Sequence, residues 1–581
     1  MLASDLQRYL SSRPVLARPQ TIRYRAEKFV RRHRALLAAA AVVALSLMGG
    51  IAYSTYQARR AESRFQQVRQ LANTFVFDIH DAIQPLPGST KARQLLVSTG
   101  LTYLDNLAFE ANRDPELQWE LAQAYSKLGT VQGAPRAGPH LGDTAGALAS
   151  HRKAIALLER LAGRAPNDLK ILRAFAGSYM TLGDLEVRAG RRPEALVAFT
   201  RATEIARTIV AHPSHQATDL RLRGFTQVRI GDQHYAQGES AAAFASFEKA
   251  LEDFRSFATV VSTEVGQGSV ANGLLSLARA YGGRGEIDRA VQTYRETVRL
   301  REELANRDPD NLSRRRELAV AYTYLAEQLF SPSEFSAGNR AEAVIFCRKA
   351  LEINEQVAAA DPNNAQAQRD LVLGLLKLAR ALEPDDPHLA LQLTKRAERI
   401  SRARTQTDPG SSDSERIWIY SFYESALRLR ALRRLPEALQ TAERSLRLME
   451  QVAAKDPDAR RDLVDDHQLV GDLLVRMRNP EGTLRHYEKA LELAHQLRTE
   501  MPYDLFVLRE IADTYELIGL LHAAGGRVRA PAAVLGASCQ EARAWFQKSL
   551  DTWSKWGETG GAASYRERRQ REIAAQIRAC E

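Results

Sequence analysis

The chain has 581 residues and a formal net charge of +11, of which the first 34 residues, with nine basic and two acidic side chains, carry +7. A charge excess confined to one end is the topology signal of a membrane protein, with some attraction to membrane lipid, and it excludes nucleic acid as the expected partner. Three widely spaced cysteines, Cys347, Cys539 and Cys580, exclude a disulfide framework and a metal site, and no cofactor is expected.

The basic segment, residues 1–34, leads into an apolar stretch. Residues 35–56, ALLAAAAVVALSLMGGIAYSTY, contain no charged side chain. As a helix this stretch measures about 33 Å, which is enough to cross a hydrocarbon core of roughly 30 Å. It predicts a transmembrane helix. Two alternatives stay open: a buried helix of a soluble domain, and a cleavable signal peptide with Ala52-Tyr53-Ser54 as its cleavage site.

The flanking charges predict the orientation of this helix. Nine basic side chains precede it, whereas Arg59, Arg60 and Arg64 are the basic residues that follow it closely. Because positive charge is retained in the cytoplasm, residues 1–34 are expected in the cytoplasm and the rest of the chain outside it. The sequence therefore predicts a single-pass protein of the cell (inner) membrane with an extracytoplasmic C-terminal part.

Small residues give the span one face that a second helix could approach. Ser46, Gly50 and Ser54 lie at i, i+4 and i+8. Small side chains allow close backbone contact in a medium where apolar burial gives no drive to associate. This face predicts a homodimer through the transmembrane helix; the alternative is that the glycines only add flexibility.

A further helix is predicted within the juxtamembrane segment, residues 57–89. Val68, Ala72, Phe75, Ile79 and Ala82 recur at alternating spacings of four and three, which is the period of a coiled coil. The stripe is interpreted either as a dimer seam or as a cap that packs on the first repeat. Prolines at 85 and 87 end the helix.

From residue 90 the sequence repeats itself with a period of about 48 residues. Each copy has a small residue, a larger one four positions later and another small one three positions after that. The first small residues of the nine copies are Ala147, Ala195, Ala243, Ala290, Ala343, Ala390, Ala438, Thr483 and Ala542. A glycine often lies twelve residues earlier, as at Gly183, Gly231 and Gly471, and Asp-Pro pairs such as Asp408-Pro409 and Asp456-Pro457 separate the copies.

This is the tetratricopeptide pattern, in which two antiparallel helices cross closely where their side chains are small. The usual period is 34 residues, so each helix should be about two turns longer here. No stretch alternates convincingly with period two, which predicts no sheet. The predicted fold class is all-α, a tetratricopeptide-like superhelical solenoid of about nine long hairpins preceded by one transmembrane helix.

Three copies are longer in the same place. The spacing from the glycine position to the small residue grows in the first copy (129–147), the fifth (326–343) and the ninth (519–542). The extra residues are expected in the turn between the two helices of a hairpin, and hence on one edge of the solenoid. They predict either a binding edge or tolerated variation of a loop.

The predicted organisation has five segments. They are a cytoplasmic basic segment (1–34), a transmembrane helix (35–56), a juxtamembrane helix or stalk (57–89), tetratricopeptide-like repeats (90–556) and a C-terminal capping helix (557–581).

Several runs resemble a known family. SDLQRYL, RPVLARP and KFVRRHR in the first 34 residues are similar to the segment that joins the kinase domain to the membrane helix in bacterial membrane-bound serine/threonine protein kinases with extracytoplasmic tetratricopeptide repeats. The resemblance continues through LANTFVFDIHDAIQPLPGSTKARQLL (71–96) and HLGDTAGALASHRKAI (140–155). It implies that this chain corresponds to the non-catalytic C-terminal part of such a kinase.

The catalytic motifs of a kinase are absent from the sequence. A kinase needs a Gly-rich phosphate loop, a strand lysine, an HRD-type catalytic loop and a DFG aspartate. Gly282-Gly283-Arg284-Gly285 lies between two helical patterns and has no preceding strand. No enzyme activity is therefore expected on this chain. Adjacent acids at Asp385-Asp386 and Asp465-Asp466 are interpreted as pointing to different faces and so not as an acid–base pair.

The expected function is that of a single-pass membrane protein whose solenoid binds a protein or peptide, resembling the sensor or scaffold half of a receptor-like kinase. One alternative is an ATP-dependent serine/threonine kinase whose catalytic domain is missing upstream of Met1, and another is a free-standing envelope scaffold. In tetratricopeptide domains that bind peptides, the contacts come from the first helix of each hairpin. The matching positions are Asp184, Arg188, Asp232, Tyr235, Asp472 and Arg476.

Overall fold

The structure, a computed structural model, describes residues 2–11, 13–16, 19, 21–74, 90–108, 114–133, 140–261, 264–330, 336–409, 411–454, 456, 459–501, 504–525, 532–556 and 563–580. It divides into two compact units, Met1–Thr74 and Phe75–Glu581. Within the described ranges every regular element is a helix and no strand occurs. The predicted all-α fold class is confirmed.

The first unit consists of α1 (Leu2–Leu10), α2 (Ile22–Arg32) and α3 (Arg34–Asn73). The Thr21 hydroxyl caps α2 by accepting a hydrogen bond of 3.4 Å from the N–H of Tyr24. α3 continues without interruption from the predicted span into the juxtamembrane segment. Its part Arg34–Gln57 is long and apolar enough to cross a membrane, and none of its apolar window is buried.

The structure shows where some residues of the two predicted association faces lie, but it does not test whether the helices associate. Ser46, Gly50 and Ser54 are exposed on α3, and a Cβ built on Gly50 has nothing within 4 Å among the described residues. Of the juxtamembrane stripe, positions 68 and 72 lie on α3, while Phe75, Ile79 and Ala82 lie outside the described residues. The homodimer face and the coiled-coil or cap interpretation remain predictions.

The second unit begins with α4 (Thr90–Ala108) and continues as antiparallel hairpins, each made of two consecutive helices that pack together. In the described residues there are nine: α5 (Pro115–Gly133) with α6 (Thr144–Arg164), α7 (Leu169–Arg188) with α8 (Arg192–Ala211), α9 (Ala217–Ala236) with α10 (Ser240–Val260), α11 (Glu264–Gly283) with α12 (Ile287–Arg307), α13 (Leu312–Leu329) with α14 (Arg340–Ala360), α15 (Ala365–Leu382) with α16 (Pro387–Thr407), α17 (Ser412–Ala431) with α18 (Leu435–Ala453), α19 (Ala459–Arg476) with α20 (Pro480–Glu500), and α21 (Leu505–Gly525) with α22 (Ala532–Trp556). A last helix, α23 (Ala563–Arg578), packs on α22.

The recurring glycine of the sequence pattern lies under an aromatic ring from the other helix of its hairpin. A Cβ on Gly183 would lie 2.4 Å from the Phe199 ring, and one on Gly231 would lie 2.5 Å from the Phe247 ring. Gly471 has the same relation to Tyr487, at 2.4 Å. These distances are shorter than any van der Waals contact, so only glycine allows the ring to lie against the helix backbone. The recurring glycine and the aromatic residue therefore contact each other where the two helices of a hairpin cross.

His151 occupies this aromatic position in the first hairpin. Its ring lies over Gly129, its side chain is 2% exposed, and neither ring nitrogen has a hydrogen-bond partner among the described residues. Burial lowers the pKa of His151 to about 4. The neutral ring is therefore favoured in the folded state. Above the unfolded pKa of about 6.5 the ring is neutral in both states. As the pH falls from there towards 4, the unfolded state takes up the proton more readily and the protein loses stability.

We expect His151→Phe to stabilise the protein. Phenylalanine, which the second and third hairpins use at this position, removes two buried nitrogens without partners, which should raise the free energy of unfolding by about 1 to 2 kcal/mol at pH 7.5. The gain should be larger at pH 5. At that pH His151 is protonated in the unfolded wild-type protein, which lowers the stability of the wild type but not that of the variant. Denaturant unfolding of the full chain at both pH values measures it. His388→Phe, at an exposed position, is the control, and an equal effect of both variants at both pH values would contradict the prediction.

The first and fifth copies are longer in the turn between their two helices, as predicted. In the ninth copy the prediction is wrong for most of the insertion, because α22 begins at Ala532, ten residues before Ala542, and the helix itself is longer. The first helix ends at Gly133 and the second begins at Thr144 in the first hairpin, and the fifth hairpin has a similar gap from Leu329 to Arg340. Residues 134–139, 331–335 and 526–531 of these turns lie outside the described residues. The described part of the first insertion contacts the start of α15 in the sixth hairpin. The carbonyl of His140 accepts a hydrogen bond of 3.1 Å from the N–H of Ala365.

Successive turns of the superhelix touch at glycines that end first helices. Gly190 and Gly238 have φ values of 78° and 74°, a region that L side chains adopt only with strain. A Cβ on Gly190 would lie 2.8 Å from Cγ of Asp456, and one on Gly238 would lie 2.5 Å from Cα of Asp504. Glycine is thus needed twice over, for the backbone conformation and for the close approach.

The same contact occurs at the first hairpin. Gly142, with φ of 85°, lies beside Asp408, and a Cβ built on it would be 3.7 Å from that side chain. The N–H and the hydroxyl of Thr144 donate to the two carboxylate oxygens of Asp408 at 3.1 and 3.0 Å. We call these three glycine–aspartate pairs, 142–408, 190–456 and 238–504, the axial contacts. Each joins positions 266 residues apart, so one superhelical turn takes about five and a half hairpins.

A buried polar junction accompanies the axial contacts. Arg188, 5% exposed, faces Nε2 of His140 at 3.2 Å and a carboxylate oxygen of Asp413 at 3.9 Å. Arg93, 1% exposed, lies 3.7 Å from Asp361. Burial, together with the surrounding arginines, lowers the pKa of His140 well below its ordinary value, so this ring is neutral. Buried charged side chains from two superhelical turns therefore meet at this junction.

Candidate binding surface on the inner side of the solenoid

The first helices of the hairpins lie on the inner side of the superhelix. At most junctions the first helix of one hairpin contacts the first helix of the next, in addition to its own partner. The second helices alternate exposed and buried positions and carry the outer side. We call the partly exposed side chains of the first helices the inner face.

One row of ion pairs runs along the inner face near the starts of the first helices. Arg173 donates to both carboxylate oxygens of Asp219 at 2.7 and 2.8 Å, and Arg369 binds Asp413 in the same way at 2.9 and 3.1 Å. This N-terminal ladder comprises Arg173–Asp219, Arg316–Asp370, Arg369–Asp413, Arg416–Asp462 and Arg461–Asp504. Burial alone would raise the pKa of Asp219, but Arg173 and the Gln216 N–H hold it below its ordinary value.

A second row lies nearer the ends of the first helices. Arg229 donates to both carboxylate oxygens of Asp184 at 2.7 and 3.0 Å. This C-terminal ladder comprises Asp184–Arg229, Asp232–Arg279, Glu327–Lys377, Glu424–Arg380 and Asp472–Arg430. Both ladders join a hairpin to its neighbour, so the charges of the inner face also fix the junctions between repeats.

Five of the six residues predicted to contact a peptide lie in or beside the C-terminal ladder. Asp184 and Asp232 are two of its acids. The ring of Tyr235 lies against the guanidinium of Arg279, with 5.2 Å between ring centroid and guanidinium carbon. Asp472 accepts from Arg430 at 2.6 Å and from Nε of Arg476 at 3.2 Å.

Arg188, the sixth, lies in the buried polar junction. The structure brings Asp184 and Asp232 into one row, on the second and third hairpins, and places Asp472 with Arg476 on the eighth. A role of these side chains in binding a ligand remains a prediction.

Sequence reasoning missed a cavity between α17, α18 and α19. It is lined by Tyr420, Tyr423, Met449, Asp462, Asp465 and Asp466. Asp465 and Asp466 both belong to its lining, but they face different neighbours: Asp466 lies beside Ser445 and Glu450 of α18, and Asp465 lies beside Arg509 and Glu510 of α21. Their spacing with Asp462, i, i+3 and i+4 on one helix, was the signal that could have found it.

No metal site is indicated in the part of the chain that the structure describes, where no three His, Cys, Asp or Glu side chains are arranged to hold an ion.

The tetratricopeptide repeat family model matches residues 270–310, which include most of α11 and α12. A search of curated proteins finds no match to this sequence. Among solved structures, a Rap protein complexed with competence and sporulation factor shares 12% identity over 74% of this chain and 99% of its own, with a TM-score of 0.41.

Two further structures are similar at the same level. A signal transduction ATPase with a tetratricopeptide repeat sensor from Pyrococcus horikoshii shares 13% identity over 69% of this chain and 53% of its own, with a TM-score of 0.39. The human IFIT1 dimer with m7Gppp-AAAA shares 12% identity over 86% of this chain and 98% of its own, with a TM-score of 0.35. None of these similarities transfers a ligand to this chain.

Proposed function

We propose that this chain is a single-pass membrane protein whose repeat unit binds a protein or peptide on its inner face, outside the cytoplasm. The proposal that the repeat unit binds a ligand rests on the cavity between α17, α18 and α19. Asp465 makes no hydrogen bond or ion pair within the described residues, and Oδ1 of the buried Asp466 has no hydrogen-bond partner there. Acids of the two ladders, in contrast, are paired. Asp466 keeps one hydrogen bond, with Ser445, so Asp465 is the carboxyl of this cavity that a ligand could supply with a partner.

The membrane part rests on α3. The exposed apolar side chains of Arg34–Gln57 need a covering that a bilayer supplies, and the basic residues before them favour a cytoplasmic N-terminus. Contact with membrane lipid and a homodimer through Ser46, Gly50 and Ser54 belong to the same proposal. A change in the association of this helix with another would report binding across the membrane.

A reporter fused after Glu581 tests this topology. We expect a phosphatase that is active only outside the cytoplasm to be active there, because nine basic residues precede the span and only three, Arg59, Arg60 and Arg64, lie in residues 57–64 directly after it. The same fusion with a fluorescent protein that folds only in the cytoplasm should be dark. Enzyme activity in whole cells and fluorescence measure the two. The opposite pair of results would contradict the proposed location of the binding face.

The runs that resemble receptor-like serine/threonine kinases support a finer proposal. The solenoid would be the sensor half of such a kinase, and this chain would itself catalyse no reaction. The alternatives are an ATP-dependent kinase with its catalytic domain encoded upstream of Met1, and a free-standing envelope scaffold. Reading the genomic sequence upstream in frame separates them: HRD and DFG motifs in an open frame indicate the kinase, and a stop codon favours the scaffold.

A further inference from the structure

Two of the three cysteines lie on helices that pack together at the end of the repeat unit. Cys539 belongs to α22, and Cys580 follows the last residue of α23. Both side chains are partly exposed, whereas Cys347 is buried in the fifth hairpin. The two cysteines are far apart in the sequence, but α22 and α23 contact each other along their length.

A contact beside the turn between α22 and α23 gives the register of the two helices. The rings of Trp553 and Tyr565 lie 5.8 Å apart between centroids, close to the end of α22 and the start of α23, so the helices run antiparallel. Cys539 is fourteen residues before Trp553, and Cys580 is fifteen residues after Tyr565. At a rise of 1.5 Å per residue, both cysteines lie about 21 to 23 Å from this contact, at the same level.

Contacts of both helices with α21 agree with this register. His522 lies 3.0 Å from Glu541, two residues after the first cysteine. Gln576, four residues before the second cysteine, donates a hydrogen bond of 2.7 Å to Glu516. Because α21 runs antiparallel to α22 and parallel to α23, the two cysteines face levels of α21 that are about one helical turn apart.

Both cysteines also lie on the packed faces of their helices. The buried residues of α22 follow at spacings of four, three and four from Ala542 to Trp553, and a further step of three towards the start of the helix reaches Cys539. On α23, Ile573 is buried, and Cys580, seven residues later, packs against the same cluster of side chains. The residues directly beside each cysteine, 540 and 579, are exposed. The two side chains therefore point towards the boundary between α22 and α23.

A disulfide fits between facing positions of two such helices. Its Cα atoms lie about 4.4 to 6.8 Å apart. Packed helix axes lie about 8 to 10 Å apart, and Cα atoms on the facing sides lie about 2.3 Å inside each axis, so they come within this range. Cys580 lies beyond the end of α23, where its N–H donates to the carbonyl of Ile577 at 3.0 Å. Only this last turn has to adjust when the bond forms.

Cys347 differs from the other two in its environment. It lies on α14, and burial raises the pKa of its thiol to about 12. Because the thiolate is the form that attacks a disulfide, this thiol is unreactive at neutral pH. It is therefore expected to stay reduced and provides an internal control.

We propose that Cys539 and Cys580 form a single disulfide that fastens α23 to the last hairpin. The inference rests on the proposed location outside the cytoplasm, because disulfides persist in an oxidising compartment. The oxidant is a small-molecule or protein disulfide. One cysteine thiolate attacks it and releases one thiolate, and the second cysteine attacks the resulting mixed disulfide and releases the other. The chain loses two protons and two electrons, and the oxidant becomes two thiols.

The test uses the full chain purified in detergent and equilibrated with glutathione disulfide. The protein is then denatured, labelled with a maleimide and analysed by mass spectrometry. We expect one labelled cysteine, Cys347, after oxidation and three after reduction. Proteolytic mapping of the oxidised chain should recover Cys539 and Cys580 in one cross-linked peptide. Cys347→Ser should keep this peptide, whereas Cys539→Ser and Cys580→Ser should lose it.

Hydrogen exchange measures what the bond does to the fold. Amides of α23 should exchange at least about tenfold more slowly in the oxidised protein than in the reduced one, because the bond suppresses local opening of the last helix. The same difference is expected for Cys347→Ser. Cys580→Ser should show equal exchange in both conditions, which separates the effect of the bond from any other effect of the oxidant.

The outcomes distinguish this inference from the proposed function. Three labelled cysteines in oxidised wild-type protein would overturn the inference, and so would a cross-link through Cys347 or between two chains. A cross-link that forms with glutathione disulfide but is absent from chains alkylated in intact cells would support the pairing and contradict the proposed location outside the cytoplasm. A cross-link found in both supports both.

Discussion

Replacing Gly238 with alanine is expected to destabilise the protein by about 2 to 5 kcal/mol. Alanine at a φ of 74° is strained by about 1 to 2 kcal/mol, and its Cβ would lie 2.5 Å from Cα of Asp504. Because that neighbour is backbone and not a movable side chain, the two superhelical turns have to separate, which adds a cost of about 1 to 3 kcal/mol. Denaturant unfolding of the full chain measures the loss.

Gly338→Ala is the matched control. Gly338 has the same backbone conformation, with φ of 75°, and a Cβ built on it has nothing within 4 Å in the described residues. It should therefore show the backbone strain alone, about 1 to 2 kcal/mol. Equal losses in the two variants would mean that the axial contact between Gly238 and Asp504 contributes nothing to stability.

The hairpins could be predicted from the sequence, and the axial contacts could not. A hairpin is a local unit, and its crossing leaves a pattern of small and aromatic residues at fixed spacing, as at Gly183 and Phe199. Contact between superhelical turns depends on small rotations that accumulate over five and a half hairpins. The total rotation cannot be predicted from any short stretch of the sequence. Gly190 and Gly238 stand out in the sequence only as turn residues, and their aspartate partners lie 266 residues away.

In the candidate site, too, the helix on which a residue lies could be predicted from the sequence, but its partners on other hairpins could not. The sequence predicted Asp184, Asp232 and Asp472 as ligand contacts because they lie on first helices, and the structure gives each of them an arginine partner on a neighbouring hairpin. A signal existed for the other row, the N-terminal ladder, since arginines recur at the repeat period near the starts of first helices. They are Arg173, Arg221, Arg316, Arg369, Arg416 and Arg461. The cavity is formed by three helices, so the sequence could place its acids on one helix but could not assign them to a cavity.

The charges that join the superhelical turns converge on Asp413. It accepts two hydrogen bonds from Arg369, at 2.9 and 3.1 Å, and Arg188 of the preceding turn lies 3.9 Å away. Burial alone would raise the pKa of Asp413, but Arg369, Arg188 and Arg404 hold it far below its ordinary value. A carboxyl whose folded pKa is depressed contributes stability above its unfolded pKa of about 3.9, and that contribution is lost only as the pH falls towards the folded pKa.

Asp413→Asn should therefore destabilise the protein by about 3 kcal/mol, because it removes the charge and leaves buried guanidinium groups without compensation. The loss should be the same at pH 7 and pH 5, since Asp413 is ionised at both. Asp385→Asn is the control: Asp385 makes an equivalent two-bond pair with Arg340, at 2.6 and 2.9 Å, but is 62% exposed, so little change is expected. Denaturant unfolding at both pH values compares the variants. A loss at Asp385 as large as that at Asp413 would show that burial between the superhelical turns does not set the strength of the pair.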